Sequence, residues 1–160
     1  MPGVKLSSKV WQDPVYFIAF GFGTGLAPIA PGTWGTLAAF PLYLLMSSLS
    51  LPVYVLLTIL FFILGVWVSN RVSADLGEHD YSGIVWDEVV GFLLTMLLVP
   101  PRLPWIIVGF FLFRLFDIWK PWPITIADEK IKGGFGIMFD DVLAAIPAWG
   151  ILQLLVWSFS

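Results

Sequence analysis

The sequence predicts an all-α, polytopic membrane bundle of about four to five transmembrane helices, with a Gly/Pro-rich re-entrant or interfacial loop near its N-terminus. Three observations predict it. Hydrophobic residues make up 59% of the 160 residues and charged residues 12%, and the mean hydropathy is +0.91. Soluble domains carry about twice that charge fraction, and a chain this short has too little interior to hide so much apolar surface. No charged residue occurs between Pro14 and Asn70. As one helix that stretch would run to about 85 Å, against a hydrocarbon core of ~30 Å, so it must fold back.

The same composition excludes other classes. Disorder needs low hydrophobicity and high net charge. A net charge of -3 and a pI near 4.8 argue against nucleic-acid binding, which needs a basic stripe. The chain has no cysteine, which removes disulfide scaffolds, thiolate metal sites and cysteine nucleophiles. Its single histidine, His79, excludes mechanisms that need two. The N-terminal MPGVKLSSKVWQDP lacks the apolar core and small-residue cleavage site of a signal peptide. Residues 1–160 carry no repeat or linker and read as one domain.

Proline and glycine divide the chain. They crowd residues 21–35 and recur at Ser50-Leu51-Pro52, leaving spans near 36–49 and 52–69, the first open to extension by part of the Gly/Pro stretch. A third apolar segment, 84–99, ends at Pro100-Pro101. The fourth, 103–119, stops at Lys120-Pro121, because the residue before proline avoids the helical region. The fifth, 142–159, is uncharged, and Pro147 is expected to kink it.

If all five segments span, alternate connections lie on opposite faces. One face then receives the N-terminal region and the loops 70–83 and 120–141, with all eleven acidic residues and seven of the eight basic ones; Arg102 alone lies on the other. The excess of Lys and Arg puts the charged face in the cytoplasm. Lys5, Lys9, Asp13 and Glu129 are adequately explained as solvated. Asp87, Glu88, Arg114 and Asp117 interrupt apolar stretches, where charge is costly and therefore a functional candidate.

Four clusters carry the chemistry. Residues 21–36 hold five glycines and two prolines without a charge. Irregular backbone near a membrane must be covered by protein or line a wet cavity. Its amides, with the following helix start, suit an anion; close helix packing through small residues explains the glycines equally well. No Lys follows, so the stretch is not a Walker-type phosphate loop.

The second cluster is Asp75, Glu78, His79 and Asp80, followed by Asp87-Glu88. Hard cations such as Mg²⁺ bind oxygen ligands of this kind. Helix capping accounts for one of Asp87 and Glu88 but not for two neighbours about 100° apart. Asp80, Asp87 and Glu88 are therefore the functional candidates, and Glu78 is a solvated loop residue. In the third cluster, Arg114 and Asp117 share a helix face. They read as an ion pair, or as a metal-binding Asp117 beside a phosphate held by Arg114 and Lys120; the two readings are compatible. In the fourth, Gly133-Gly-Phe-Gly136 leads to Asp140-Asp141 at the expected start of the last helix, one acid as cap and the other as metal ligand.

All four clusters reach one interface, and no inverted halves with midplane carboxylates point to a transporter. Metal-assisted chemistry on a lipid's phosphate is the reading that fits, with a metal-activated water or an aspartate attacking. A divalent-cation or lipid transporter, or a non-catalytic membrane subunit, would share some of these features.

The blocks resemble bacterial phosphatidylglycerophosphatase A. The resemblance is carried by residues 21–36, Asp75-x-Gly77-x-x-Asp80, Ile84-Val-x-Asp87-Glu88-x-x-Gly91, Arg114-x-x-Asp117-x-x-Lys120-Pro-x-Pro-Ile124 and Gly133-Gly-x-Gly136-Ile-Met-x-Asp140-Asp141. It implies a Mg²⁺-dependent, multi-pass enzyme of the bacterial cytoplasmic membrane that hydrolyses phosphatidylglycerol phosphate to phosphatidylglycerol and phosphate. On charge type, Asp80, Asp87, Glu88 and one or both of Asp140 and Asp141 are expected to hold Mg²⁺. Arg114 and Lys120, with amides near Gly32 and the Thr33 hydroxyl, would cradle the phosphate. Asp117, Asp80 and Glu88 are the catalytic candidates, Asp117 as base or nucleophile. His79 could protonate the leaving oxygen, but no second argument supports it.

Overall fold

A computed structural model describes residues 5–160, and among these it is all-helical, with no strand. Two short helices, α1 (Leu6–Gln12) and α2 (Pro14–Ala19), meet at Asp13, whose carboxylate caps α2 by accepting from the Val15 amide. A loop with one 3-10 turn leads to α3 (Pro31–Met46), followed by α4 (Leu51–Leu76), α5 (Trp86–Thr95), α6 (Leu103–Trp119), α7 (Ile124–Lys130) and α8 (Gly133–Phe159).

Proline sets four of these starts, lying in the first turn of α2, α3, α4 and α6. There its missing N–H costs nothing and its fixed φ is already helical. Helix α4 ends at Gly77 in the left-handed region, φ 67°, where glycine pays no Cβ penalty.

Helices α4 and α8 have 26 and 27 residues and are long and apolar enough to cross a membrane; only 22% of the most apolar window of each is buried inside the protein. Leu56, Ile59, Leu60, Ile63 and Trp67 on α4, and Ile151, Leu154 and Trp157 on α8, face outward. Lipid is the solvent that such a surface requires.

The expected third span, 84–99, proves different. Helix α5 is only ten residues, about 15 Å, and eight of them are buried. It is a core helix wrapped by α3, α4, α6 and α8. Its far end is held by side chains from its neighbours: Tyr54 Oη donates to the Leu93 carbonyl at 2.6 Å, Trp149 Nε1 and Gln153 Nε2 to Leu97 at 2.8 and 2.9 Å, and Tyr43 Oη to Val99 at 2.9 Å. These bonds satisfy carbonyls that no water would reach.

Two further expectations are corrected. Residues 133–141 form the first turns of α8, so Asp140 and Asp141 lie two turns inside the helix and neither caps it; the cap position is Lys132, without a side-chain bond. The Gly134 amide is satisfied instead by Asn70 Oδ1 of α4. The loop 120–141 contains α7, which its prolines and charges conceal. In residues 21–35, Gly25 and Gly35 allow tight packing on 83–85, since a Cβ at either would collide with Gly83 or Val85.

Gly134 stands against backbone: a Cβ there would strike the Val66 carbonyl and approach the Asn70 amide nitrogen to 2.9 Å, whereas one on Gly150 of the same helix meets nothing within 4 Å. Gly134→Ala should destabilise by about 1–3 kcal/mol, and Gly150→Ala should be neutral or slightly stabilising. Thermal unfolding of both variants in detergent, followed by circular dichroism, checks the contrast.

Candidate active site

One end of the bundle collects the start of α3, the loop before α5, the first turn of α5, the end of α6 and the second and third turns of α8. They enclose an open cavity of about 350 Å³. Ala30, Pro31 and Gly32 line it from α3, Asp80, Ser82 and Ile84 from the loop, Asp87 and Glu88 from α5, Arg114, Asp117, Ile118 and Lys120 from α6, and Asp140 and Asp141 from α8. Six carboxylates thus face two cations across one small space.

Asp87, Glu88 and Asp141 form the inner group. Each offers a carboxylate oxygen, and the three oxygens lie within 4.8 Å of one another. Asp87 Oδ1, Glu88 Oε2, Asp140 Oδ1 and Asp141 Oδ2 are all buried without a hydrogen-bond partner. A buried carboxylate oxygen with no donor is expensive, and a shared cation removes that cost for several at once. The donor set is all oxygen and anionic, which suits Mg²⁺ or another hard divalent ion.

Helix α6 supplies the other half. Arg114, Asp117 and Lys120 recur at intervals of three and share a face. The Arg114 guanidinium hydrogen-bonds Asp117 and stands 3.9 Å from Glu88 Oε1, while its Nε is buried and unpartnered. Lys120 Nζ lies 3.9 Å from Asp117 and 3.8 Å from Asp128. Burial works against the Lys120 ammonium, but Asp141, Asp117, Asp128 and Asp140 outweigh it and raise its pKa above the ordinary lysine value. Lys120 is therefore a fixed cation near neutral pH.

Backbone strain gathers here as well. Ala30, Asp80 and Lys120 are non-glycine residues with φ of 51°, 54° and 49°, in the left-handed region that side chains disfavour. All three line the cavity. Such conformations persist where the surrounding structure holds them for a purpose. Gly32 serves the cavity differently: a Cβ there would come within 2.9 Å of Glu88 Oε1 and 3.1 Å of an Arg114 nitrogen. Glycine lets the start of α3, with the Gly32 amide, stand close to both charges.

Of the residues expected from sequence, Gly32, Asp80, Asp87, Glu88, Arg114, Asp117, Lys120, Asp140 and Asp141 line this cavity. Thr33 does not; its amide donates to the Ala30 carbonyl at 3.0 Å. His79 is exposed and outside the lining. Asp75 is turned away, accepting from Tyr16 Oη at 3.3 Å and pairing with Lys9 at 3.9 Å. Sequence reasoning missed Ser82 and Asp128. Ser82 carries no pattern, and Asp128 sits in the charged run Asp128-Glu129-Lys130, which resembles any solvated segment.

The family model for phosphatidylglycerophosphatase A matches residues 17–156. Phosphatidylglycerophosphatase A of Escherichia coli strain K12 is 42% identical over 153 residues, covering 95% of this chain and 89% of its own. The Haemophilus influenzae protein of the same name is 48% identical over 138 residues, covering 85% of each. A Bacteroides thetaiotaomicron protein with the provisional name phosphatidylinositol-3-phosphatase is 39% identical over 149 residues, covering 88% of this chain and 92% of its own. No solved structure matches. The chain belongs to the phosphatidylglycerophosphatase A family, membrane-associated enzymes that hydrolyse phosphoric monoesters.

Proposed function

We propose that this protein is a Mg²⁺-dependent, multi-pass lipid phosphatase that releases phosphate from phosphatidylglycerol phosphate at the cytoplasmic face of the membrane. The observation that carries the reading is the cavity itself. Three carboxylates, each with a buried, orphaned oxygen, stand beside an arginine and a lysine, a cation half and an anion half in one space. The relatives from E. coli and H. influenzae bear the name of that activity.

Asp87, Glu88 and Asp141 would hold the ion, with Asp80 and Asp140 completing the carboxylate set. Bound Mg²⁺ supplies Lewis-acid polarisation of the phosphate. Arg114, with its Nε unpartnered and one terminal nitrogen on Asp117, would turn its guanidinium to the phosphate oxygens, and planar bidentate pairing would fix the group's orientation. Lys120 neutralises a further oxygen, and the positive end of α3, at Gly32, favours the same charge. These donors are fixed in place before substrate arrives, so they stabilise charge developing in the transition state without reorganising. Asp117 would take the proton of the attacking water as the water oxygen bonds to phosphorus and the bond to the glycerol oxygen breaks, and that proton passes to the released glycerol oxygen, giving phosphatidylglycerol and phosphate.

The sidedness follows from charge. Seven of the eight Lys and Arg residues belong to the cavity end and Arg102 alone to the other, which favours a cytoplasmic cavity. The Bacteroides relative's name gives phosphatidylinositol 3-phosphate as the competing substrate class.

Purified protein should release phosphate from phosphatidylglycerol phosphate, faster than from phosphatidylinositol 3-phosphate, and EDTA should stop it until Mg²⁺ is restored. Asp87→Asn and Asp141→Asn should each cost at least ~100-fold in kcat with the helical signal intact, and Arg114→Lys about 10- to 100-fold in kcat/KM. Full turnover in EDTA would overturn the metal dependence. Sidedness has its own test, because the chain has no native cysteine. A cysteine at Glu129 should resist a membrane-impermeant maleimide in intact cells, and one at Ser48 should react; the reverse pattern would place the cavity outside.

A further inference from the structure

Helix α7 is not part of the cavity wall, yet two of its residues converge on one residue that is. Thr125 Oγ1 donates to the Lys120 carbonyl, and Asp128, three residues on, stands 3.8 Å from Lys120 Nζ. Residues three apart on a helix share a face, so one face of this seven-residue helix meets both the backbone and the ammonium of Lys120. Lys120 needs such support. It ends α6 in a left-handed conformation, φ 49° and ψ 60°, which an unaided lysine rarely adopts. Its side chain has four rotatable bonds, and a lysine left free would spend most of its time elsewhere.

We propose that α7 is a clamp that positions Lys120 for the substrate phosphate, with Asp128 as a positioning residue holding the ammonium and Thr125 holding the backbone turn. The proposal rests on the reading that Lys120 binds phosphate. Asp117 alone would not fix the ammonium, because Asp117 already engages Arg114 from the same helix. Asp128 adds a second carboxylate from a different helix, so the ammonium stands within 3.9 Å of Asp117 and of Asp128 while Lys120 lines the cavity. Asp128 itself is absent from the cavity lining, and its side chain is 36% exposed. It acts through Lys120, without touching phosphate.

The test is a double-mutant cycle on the full-length protein in mixed micelles of phosphatidylglycerol phosphate and detergent. Lys120→Met should raise KM or lower kcat/KM at least tenfold. Asp128→Asn should raise KM about three- to tenfold with kcat changed less than twofold and the thermal midpoint unaltered, and Asp128→Glu should recover most of the loss. In the Lys120→Met background, Asp128→Asn should add nothing. Where Asp128→Asn fails to fold, Thr125→Val reads the clamp from its other side, with the same KM shift and the same silence in Lys120→Met. Unchanged KM in Asp128→Asn beside an impaired Lys120→Met overturns the clamp and leaves the phosphate role standing, as does a full further loss in the double variant. An unimpaired Lys120→Met ends both.

Discussion

Six carboxylates around one cavity, answered by two basic side chains, are the constraint on which this structure depends. Like charges a few ångströms apart in a partly buried space cannot all stay ionised without compensation. The ion pairs account for Asp117 and part of Glu88. They leave Asp87, Asp140 and Asp141 with orphaned oxygens, an all-oxygen donor set of the kind a hard divalent cation takes.

The rest of the fold delivers those charges to one place. Helix α5 is short because it does not need to span; it carries Asp87 and Glu88 in its first turn and is enclosed by four longer helices. Helix α8 brings Asp140 and Asp141 two turns below its start, and Gly134 of α8 and Gly65 of α4 let the two helices run close together. The left-handed residues Ala30, Asp80 and Lys120 turn the chain at three points of the rim. The apolar exterior of α4 and α8 suits lipid, and the charged cavity gathers at one end of the bundle.

Much of this is legible in the sequence. The uncharged run to Asn70 and the proline breaks give the back-and-forth path, and the acids that interrupt the apolar stretches meet in one cavity, although the parity count that grouped them took 84–99 as a crossing, which α5 is not. Asp87, Asp117 and Lys120 are visible because charge inside an apolar stretch has few innocent explanations. Asp140 and Asp141 are visible as candidates but not in their setting: three glycines before them argue for a loop in water, whereas packing against α4 makes the same glycines a helix. Thr33 fails for a local reason, since within a helix start its neighbour Gly32 faces the cavity in its place. Asp128 is invisible because its partner lies across a proline turn, and only the folded chain brings α7 beside Lys120. His79 shows the limit of residue type alone: its chemistry is suitable, and its position is not.

The central claim is that Asp87, Glu88 and Asp141 grip one hard divalent ion. Anomalous diffraction from crystals grown with Mn²⁺ in place of Mg²⁺ tests it most directly. The account predicts a peak about 2.0–2.3 Å from an oxygen of each of the three carboxylates. A cavity without a peak at saturating Mn²⁺, or an ion bound only at Asp75 and Glu78 outside it, would contradict the account.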